Sequence, residues 1–386
     1  VRAPTTLDPA AFREALAEWY RLNARRLPWR GIHDAYATWL SEIMLQQTRV
    51  ATVIDRYTEF LRCFPTLIAL AAAAEADVLA LWSGLGYYRR ARMLHRAAQF
   101  IVSELHGEFP RSSAELQTLP GVGDYTAAAV ASIAFGEHIA AVDGNVERVL
   151  LRVLGRAEDR TASGLAVLNA TAQSLLPPAP RQAAASRSSA HDNPAGDHNQ
   201  AMMELGATIC LPRQPLCLQC PVMAQCRTRG EHSTATRGKM RSREVAHLVA
   251  LRKKGTGTEV LLERRAATAS LMPGMLELPP LPLDAVTGRE PALRLRHAIT
   301  NTNYAVSIFT EEQSPAASGK ARRTQPAQAI SAAAAEPAAP SLIEQIPAAR
   351  RMLHWTAVQR LPALPLTGLT RKTLQRLGMM SVLGRA

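Results

Sequence analysis

Residues 119–126 read Leu-Pro-Gly-Val-Gly-Asp-Tyr-Thr and stand between two runs whose apolar residues recur at helical spacing. Gly121 and Gly123 permit a tight turn. The helix that follows opens with backbone N–H groups that have no acceptor inside the helix. A turn of this kind presents several donors to one anion, and a phosphate is the natural ligand. An ordinary interhelical turn accounts for an isolated Gly-x-Gly equally well, so the choice depends on the rest of the chain.

On both sides of this turn the pattern is helical. From Pro9 to about Leu176 apolar residues return every three or four positions, as in Trp39, Leu40, Ile43 and Met44, then Val50, Val53, Ile54, Tyr57, Phe60 and Leu61. The stretches 69–82 and 91–105 repeat the habit. Residues 177–197, rich in Pro, Ala and Ser, predict a mobile loop. Helix is expected to resume over 199–209. A polar, basic linker is expected over 228–243. Beyond it, 245–251, 259–263 and 304–310 are short and strand-like. Residues 311–340 read as a disordered insertion, order returns at 352–355, and a last helix is expected over 371–377. The expectation is a mainly α domain over 1–227 followed by a smaller α/β domain over 244–386.

The 386 residues suffice for two or three domains, and 45 Lys and Arg against 32 Asp and Glu leave a charge of +13. That excess favours a polyanionic partner, because each neutralised phosphate releases a counterion. No apolar run is long enough to span a bilayer, so no membrane partner is expected. Residues 1–7 lack an apolar core behind a basic end and do not read as a signal peptide. The expected compartment is the reducing cytoplasm, beside the nucleoid if the cell is bacterial.

Of the five cysteines, Cys63 stands alone in an apolar helical stretch and reads as a packing residue. The other four, Cys210, Cys217, Cys220 and Cys226, are separated by six, two and five residues. Four thiolates so close in sequence can surround one metal centre, either a zinc tetrahedron or an iron–sulfur cubane. Spacing alone leaves both open. The first interval forms a short loop that presents Arg213, suited to a phosphate.

Two carboxylates attract notice, since cleavage of a glycosidic bond uses a pair in unlike environments. Glu42 has Trp39 and Leu45 three residues to either side, on its own helix face, and apolar neighbours raise a carboxyl pKa. A solvated helical Glu is the plainer reading. Asp143, just before a helical run, reads as an N-cap or as a carboxylate facing a developing cation. Tyr125 directly follows the turn.

The string Leu27-Pro-Trp-Arg30, the segment around Glu42, Gly84-Leu-Gly-Tyr-Tyr-Arg89, the turn at 119–126, Val142-Asp-Gly-Asn-Val146, Asn199-Gln-Ala-Met-Met-Glu-Leu-Gly206 and the cysteine loop occur in this order. Over 27–226 they resemble the MutY-type adenine DNA glycosylases of the endonuclease III, or helix-hairpin-helix, superfamily. The resemblance implies a two-lobed helical domain with a [4Fe–4S] cluster on the four cysteines. It implies that Glu42 protonates the departing adenine and later activates water, that Asp143 stabilises the sugar cation, and that Tyr125 and Asn145 position that centre. Tyr125 stands where related lyases carry a Lys able to form a Schiff base, so the resemblance is to the monofunctional branch. Arg25, Arg30, Gln200 and Met203 match adenine-pocket positions. Gln47 and Tyr87 match residues that wedge into the duplex during base flipping, Gly121 and Gly123 those that grip its backbone, and Arg148 a support for the cluster region.

The C-terminal part resembles the family's Nudix-like domain through Val260–Arg265 and Leu271–Pro279. The acidic Nudix metal motif is absent after Pro279, so pyrophosphate hydrolysis is not expected. Thr300 keeps the hydroxyl that a Ser usually supplies for reading 8-oxoguanine, while Asn301 replaces the usual His. The implied partner is double-stranded DNA with adenine opposite 8-oxoguanine or guanine, bound by a monomer. The rival readings are a thymine or oxidised-pyrimidine glycosylase, a non-catalytic iron–sulfur DNA-binding protein, and a zinc-stabilised protein.

Overall fold

A computed structural model describes residues 7–32, 34–179, 193–232, 240–313, 341–347 and 352–381. Two compact units emerge: residues 1–78 with 89–237, and residues 79–88 with 238–386.

The first unit is helical. Its elements are α1 (Pro9–Asn23), α2 (Ala35–Leu45), α3 (Val50–Cys63), α4 (Leu67–Ala72), α5 (Glu75–Trp82, whose last residues join the second unit), α6 (Arg89–Glu104), α7 (Ser113–Leu116), α8 (Asp124–Phe135), α9 (Gly144–Leu154), α10 (Ala162–Leu175) and α11 (Pro194–Thr208). One group is built about α2, where Tyr36 through Met44 are all buried. A helix hydrophobic all round must sit inside the fold, and α2 lies against α3, α6 and α8. The other group joins α1, α9, α10 and α11 through Phe12, Leu16, Val149, Leu150, Leu168 and Leu205. Helix α8 also contacts α11 and so links the two groups.

The expected helices are present, with three corrections. The run 69–82 is two helices, broken at Ala73 and Ala74. Helix α11 begins at Pro194 rather than 199, because Asn193 caps it and proline fits the first turn, where no N–H is needed. Cys63 is exposed at the end of α3 and does not pack. Residues 180–192 of the expected loop, and residues 1–6, lie outside the described residues.

The second unit is a mixed sheet: β1 (Arg241–Lys254), β2 (Gly257–Arg264), β3 (Leu276–Glu277), β4 (Pro280–Leu281), β5 (Leu293–Ile299), β6 (Thr302–Gln313) and β7 (Leu353–Ala357), with α12 (Gly368–Arg376). Its strand order is β3-β2-β1-β6-β5, with β4 on β1 and β7 on β2. The β1–β6 pair is parallel and the other named strand pairs are antiparallel. Along β1, Val245, Val249 and Leu251 enter one core while Ala246, Leu248 and Ala250 enter the other. Burial on both faces is why this strand reads as a nearly continuous apolar run. Strand β1 begins at Arg241, so 241–243 are not linker: their backbone is needed to pair with Thr302–Tyr304. Similarly, β6 continues through Gln313 into the expected insertion. Residues 233–239 and 314–340 lie outside the described residues. The last helix starts at Gly368, capped by Thr367, one turn earlier than expected. Among the described residues no helix is long and apolar enough to cross a membrane.

Candidate active site

Glu42, Tyr125, Asp143 and Met203 come from α2, α8, the start of α9 and α11. The hydroxyl of Tyr125 donates to Glu42 Oε2 at 2.6 Å, and Met203 Sδ lies 3.0 Å from the same hydroxyl. Asp34 caps α2 by accepting from the Ala37 N–H. Glu42 is then carried into the fold by its apolar neighbours and is only 6% exposed.

Burial pushes the Glu42 carboxyl up to about 7. The bond from Tyr125 and the nearby Arg30 pull it down, while Asp143 adds to the rise. Burial also drives the Tyr125 hydroxyl well above its ordinary range, with Glu42 and Asp143 reinforcing it. Tyr125 therefore stays a neutral donor. Glu42 is poised near neutrality, where a group can both give and take a proton.

Asp143 sits in a different environment. It caps α9, its Oδ1 accepting from the Asn145 and Val146 N–H groups at 2.9 and 2.7 Å. Its Oδ2 accepts from Asn145 Nδ2 at 2.8 Å. Asp143 is thus the N-cap of α9, and its charge bears on Glu42. Asn145 Oδ1 in turn accepts from Arg148 at 2.9 Å, and Arg148 donates to the carbonyls of Gly206 and Cys210 at 2.7 and 2.8 Å. Gly206 permits this approach, since a Cβ there would stand 2.7 Å from Asn145 Cβ.

Arg25 and Arg30 converge on Glu204, a residue that sequence reasoning did not single out. Arg25 grips it through Nε and Nη2 at 2.6 and 2.8 Å, and Arg30 Nη2 reaches Oε2 at 2.6 Å. Glu204 is 1% exposed. It lies inside the quoted string 199–206, and the excess of Arg over acid in 25–30 was the available signal. Gln200 accepts from the Tyr20 hydroxyl at 3.4 Å, and the Arg30 guanidinium lies 5.2 Å from the Tyr20 ring centre.

In the turn at 119–126, Gly121 has φ +78°, and a Cβ there would stand 2.5 Å from Met93 Cβ. Gly123 is extended and caps α8 without a side chain, leaving the first-turn N–H groups uncapped by one. Gln47, Tyr87 and Thr300 have left-handed backbone with φ of +54°, +48° and +54°, as do His106, Gln214, Arg229 and Met272. Non-glycine residues seldom adopt it, and it gathers at functional sites. Tyr87 is 53% exposed. Thr300 and Asn301 form the two-residue turn between β5 and β6, and both are exposed. Arg213 is exposed in the cysteine loop.

Cys210, Cys217, Cys220 and Cys226 line one cavity together with Arg152, Ile209 and Met223. Among the described residues no three His, Cys, Asp or Glu side chains form a set that could hold a single metal ion. Burial, with the other sulfurs adding, pushes the Cys220 thiol up to about 12. Arg152, which sequence reasoning missed, is buried behind the loop. It donates to the carbonyls of Leu211 and Pro212 at 2.7 and 2.9 Å and reaches Cys210 Sγ at 3.4 Å. Its place on the buried face of α9 gave no sign of this role.

Residues 40–170 match the family described as HhH-GPD superfamily base excision DNA repair protein. The chain is 48% identical to the adenine DNA glycosylase of Homo sapiens over 232 residues, covering 58% of this chain and 40% of that protein. It is 37% identical to that of Buchnera aphidicola over 219 residues, covering 56% of this chain and 58% of that protein. The chain thus spans about half the length of the curated relatives it matches. A solved structure of a thermostable thymine-DNA glycosylase superposes with a TM-score of 0.50 at 26% identity, over 57% of this chain and 96% of that one. The family resemblance drawn from the motifs is borne out by these matches.

Proposed function

We propose, from a chain whose residues 40–170 match the HhH-GPD superfamily, that the protein is a monofunctional adenine DNA glycosylase of base excision repair. The observation that carries this reading is the buried Glu42, raised to about 7 and held by the Tyr125 hydroxyl at 2.6 Å. A carboxylic acid still protonated near neutral pH can give its proton to a departing base, and its conjugate base can then activate water. Asp143, held by three N–H groups from Asn145 and Val146, offers a carboxylate to the oxocarbenium-like sugar. Tyr125 in place of a lysine amine removes the route to a Schiff base, so the strand is not cut.

The adenine enters a pocket bordered by Arg25, Arg30, Gln200 and Met203, with Glu204 fixing both arginines. Base flipping is assisted by Gln47 and Tyr87 as wedges. The turn containing Gly121 and Gly123 holds backbone phosphates, and Arg213 adds a contact. The four cysteines hold a [4Fe–4S] cluster, which fastens the loop at four points; Arg148 and Arg152 brace it from α9. The sheet domain is Nudix-like, and its Thr300–Asn301 turn reads 8-oxoguanine opposite the adenine. The enzyme acts as a monomer on A:8-oxoguanine and A:G duplexes, in the cytoplasm.

Single-turnover incubation with each duplex, analysed with and without alkali, tests the reading. Strand breaks appearing only after alkali are expected. The rate ratio of the two duplexes reports whether Thr300 and Asn301 discriminate the lesion. No breaks from cluster-loaded protein would replace the reading with a non-catalytic DNA-binding protein. Breaks without alkali would mark a lyase.

A further inference from the structure

Residues 79–88 are enclosed in sequence by the helical unit, yet they belong to the compact unit formed with residues 238–386. A small buried polar knot holds them there. Ser83 is fully buried, donates its hydroxyl to the Leu366 carbonyl at 3.0 Å, and accepts from Arg371 Nε at 2.6 Å. The Tyr88 hydroxyl donates to the same carbonyl at 3.0 Å. Trp82 Nε1 donates to the Gly86 carbonyl at 3.1 Å and closes the loop on itself. Arg371, on α12, is 4% exposed. Between these anchors Tyr87 projects, 53% exposed and left-handed.

We infer that Arg371 is a positioning residue for Tyr87: through Ser83 and the Leu366 carbonyl it stiffens the loop from which Tyr87 enters the duplex. The inference rests on the reading of Tyr87 as a wedge. Forcing a base from its stack costs a few kcal/mol, and the wedge returns that load to its own backbone. A compliant loop would yield in place of the DNA. Here the residue next to Tyr87 and a residue four positions before it are tied to one carbonyl, and a planar guanidinium fixed on a helix braces the tie. Tyr87 has little freedom to retreat.

The protein is mixed by stopped flow with a duplex carrying 2-aminopurine opposite 8-oxoguanine, and the fluorescence rise on unstacking is followed. Arg371→Met and Tyr87→Ala should each slow the rise about tenfold, the scale of one charge-assisted hydrogen bond. The combined variant should be no slower than Tyr87→Ala alone, because Arg371 acts through Tyr87. Arg371→Lys keeps a cationic donor and should recover most of the rate. Tyr88→Phe removes one hydroxyl without opening a void, so it serves should the Met variant fail to fold; it too should slow the rise. Multiplying losses in the combined variant, or an unslowed rise in Tyr88→Phe and Arg371→Met, would overturn the inference, as would a wild-type protein that unstacks nothing. A wild-type protein that unstacks the base but releases no adenine would defeat the glycosylase reading alone, and leave the role of Arg371 decided by the same comparison.

Discussion

Tyr125 gives its phenolic hydrogen to Glu42 at 2.6 Å, so the second residue of α8, just after the glycine turn, also orients the buried carboxyl on α2. The glycine turn and the buried carboxyl are therefore one mechanical piece. A displacement of the turn would move the donor that holds the acid.

The acid form of Glu42 is the competent one in the proposed reaction, and its carboxyl titrates near 7. Single-turnover adenine release should be level on the acid side and fall about tenfold per pH unit above that point. A rate that climbs through the alkaline range would remove Glu42 from the role of acid, and Glu42→Gln should abolish release while duplex binding persists.

The bond from Tyr125 favours the charged form of Glu42 and lowers its pKa against the larger effect of burial. Tyr125→Phe removes that pull. The alkaline fall in rate should move to higher pH, with a lower plateau because the carboxyl is less well oriented. An unshifted profile would mean that the hydroxyl does not bear on the acid in solution.

Glu42 also makes stability depend on pH. Its folded value, about 7, lies above the unfolded 4.5, so the folded state binds the proton more tightly. The stabilising effect is complete below about 4.5 and lost as pH rises through 7, amounting to a difference on the order of 3 kcal/mol. Glu42→Gln should therefore melt higher than the parent at pH about 8, and the gain should shrink toward pH about 5. A gain of equal size at both values would count against burial as the cause.

Much of the site was legible because local rules demanded the same residues. Asp143 announced itself as a cap, and the structure gives it that geometry together with Asn145. Trp39, Leu40, Ile43 and Met44 announced a helix by their spacing, and the structure buries Tyr36 through Met44. What stayed hidden were partners joined only by tertiary folding. Nothing local to Glu204 indicates two arginines arriving from 174 and 179 positions away. Arg152 lies among Val149, Leu150, Leu151 and Val153, where a helical pattern shows only core. Nothing local to the segment 79–88 points to its partners, and its bonds to Leu366 and Arg371 span 278 to 288 positions. The early start of α11 was readable from Asn193-Pro194, a cap followed by the one residue suited to the first turn.

Arg152 supplies donors to the Leu211 and Pro212 carbonyls at the first interval of the cysteine loop. Arg152→Met keeps the buried stem and strands both acceptors, at a cost of roughly 3–5 kcal/mol. The variant should melt lower and, if the four cysteines hold the proposed cluster, carry less iron–thiolate absorbance per chain than the parent. Full absorbance with an unchanged melting temperature would show that the loop does not depend on this brace.

The two glycines of the turn should separate packing from binding. At Gly121 a methyl group would collide with Met93 Cβ at 2.5 Å, and φ is +78°. Gly121→Ala should thus destabilise the protein by roughly 1–3 kcal/mol and weaken binding to any duplex, because the displaced turn no longer presents its N–H groups. Gly123 has open space around it: an added methyl would meet no heavy atom within 4 Å, and the backbone is extended. Gly123→Ala should leave the melting temperature unchanged. If a phosphate approaches these N–H groups closely, the added methyl would obstruct it, and affinity should fall alike for matched and mismatched duplexes. Thermal unfolding and fluorescence anisotropy on the two variants check this. A Gly123→Ala protein that binds every duplex as the parent does would place the phosphate contact elsewhere.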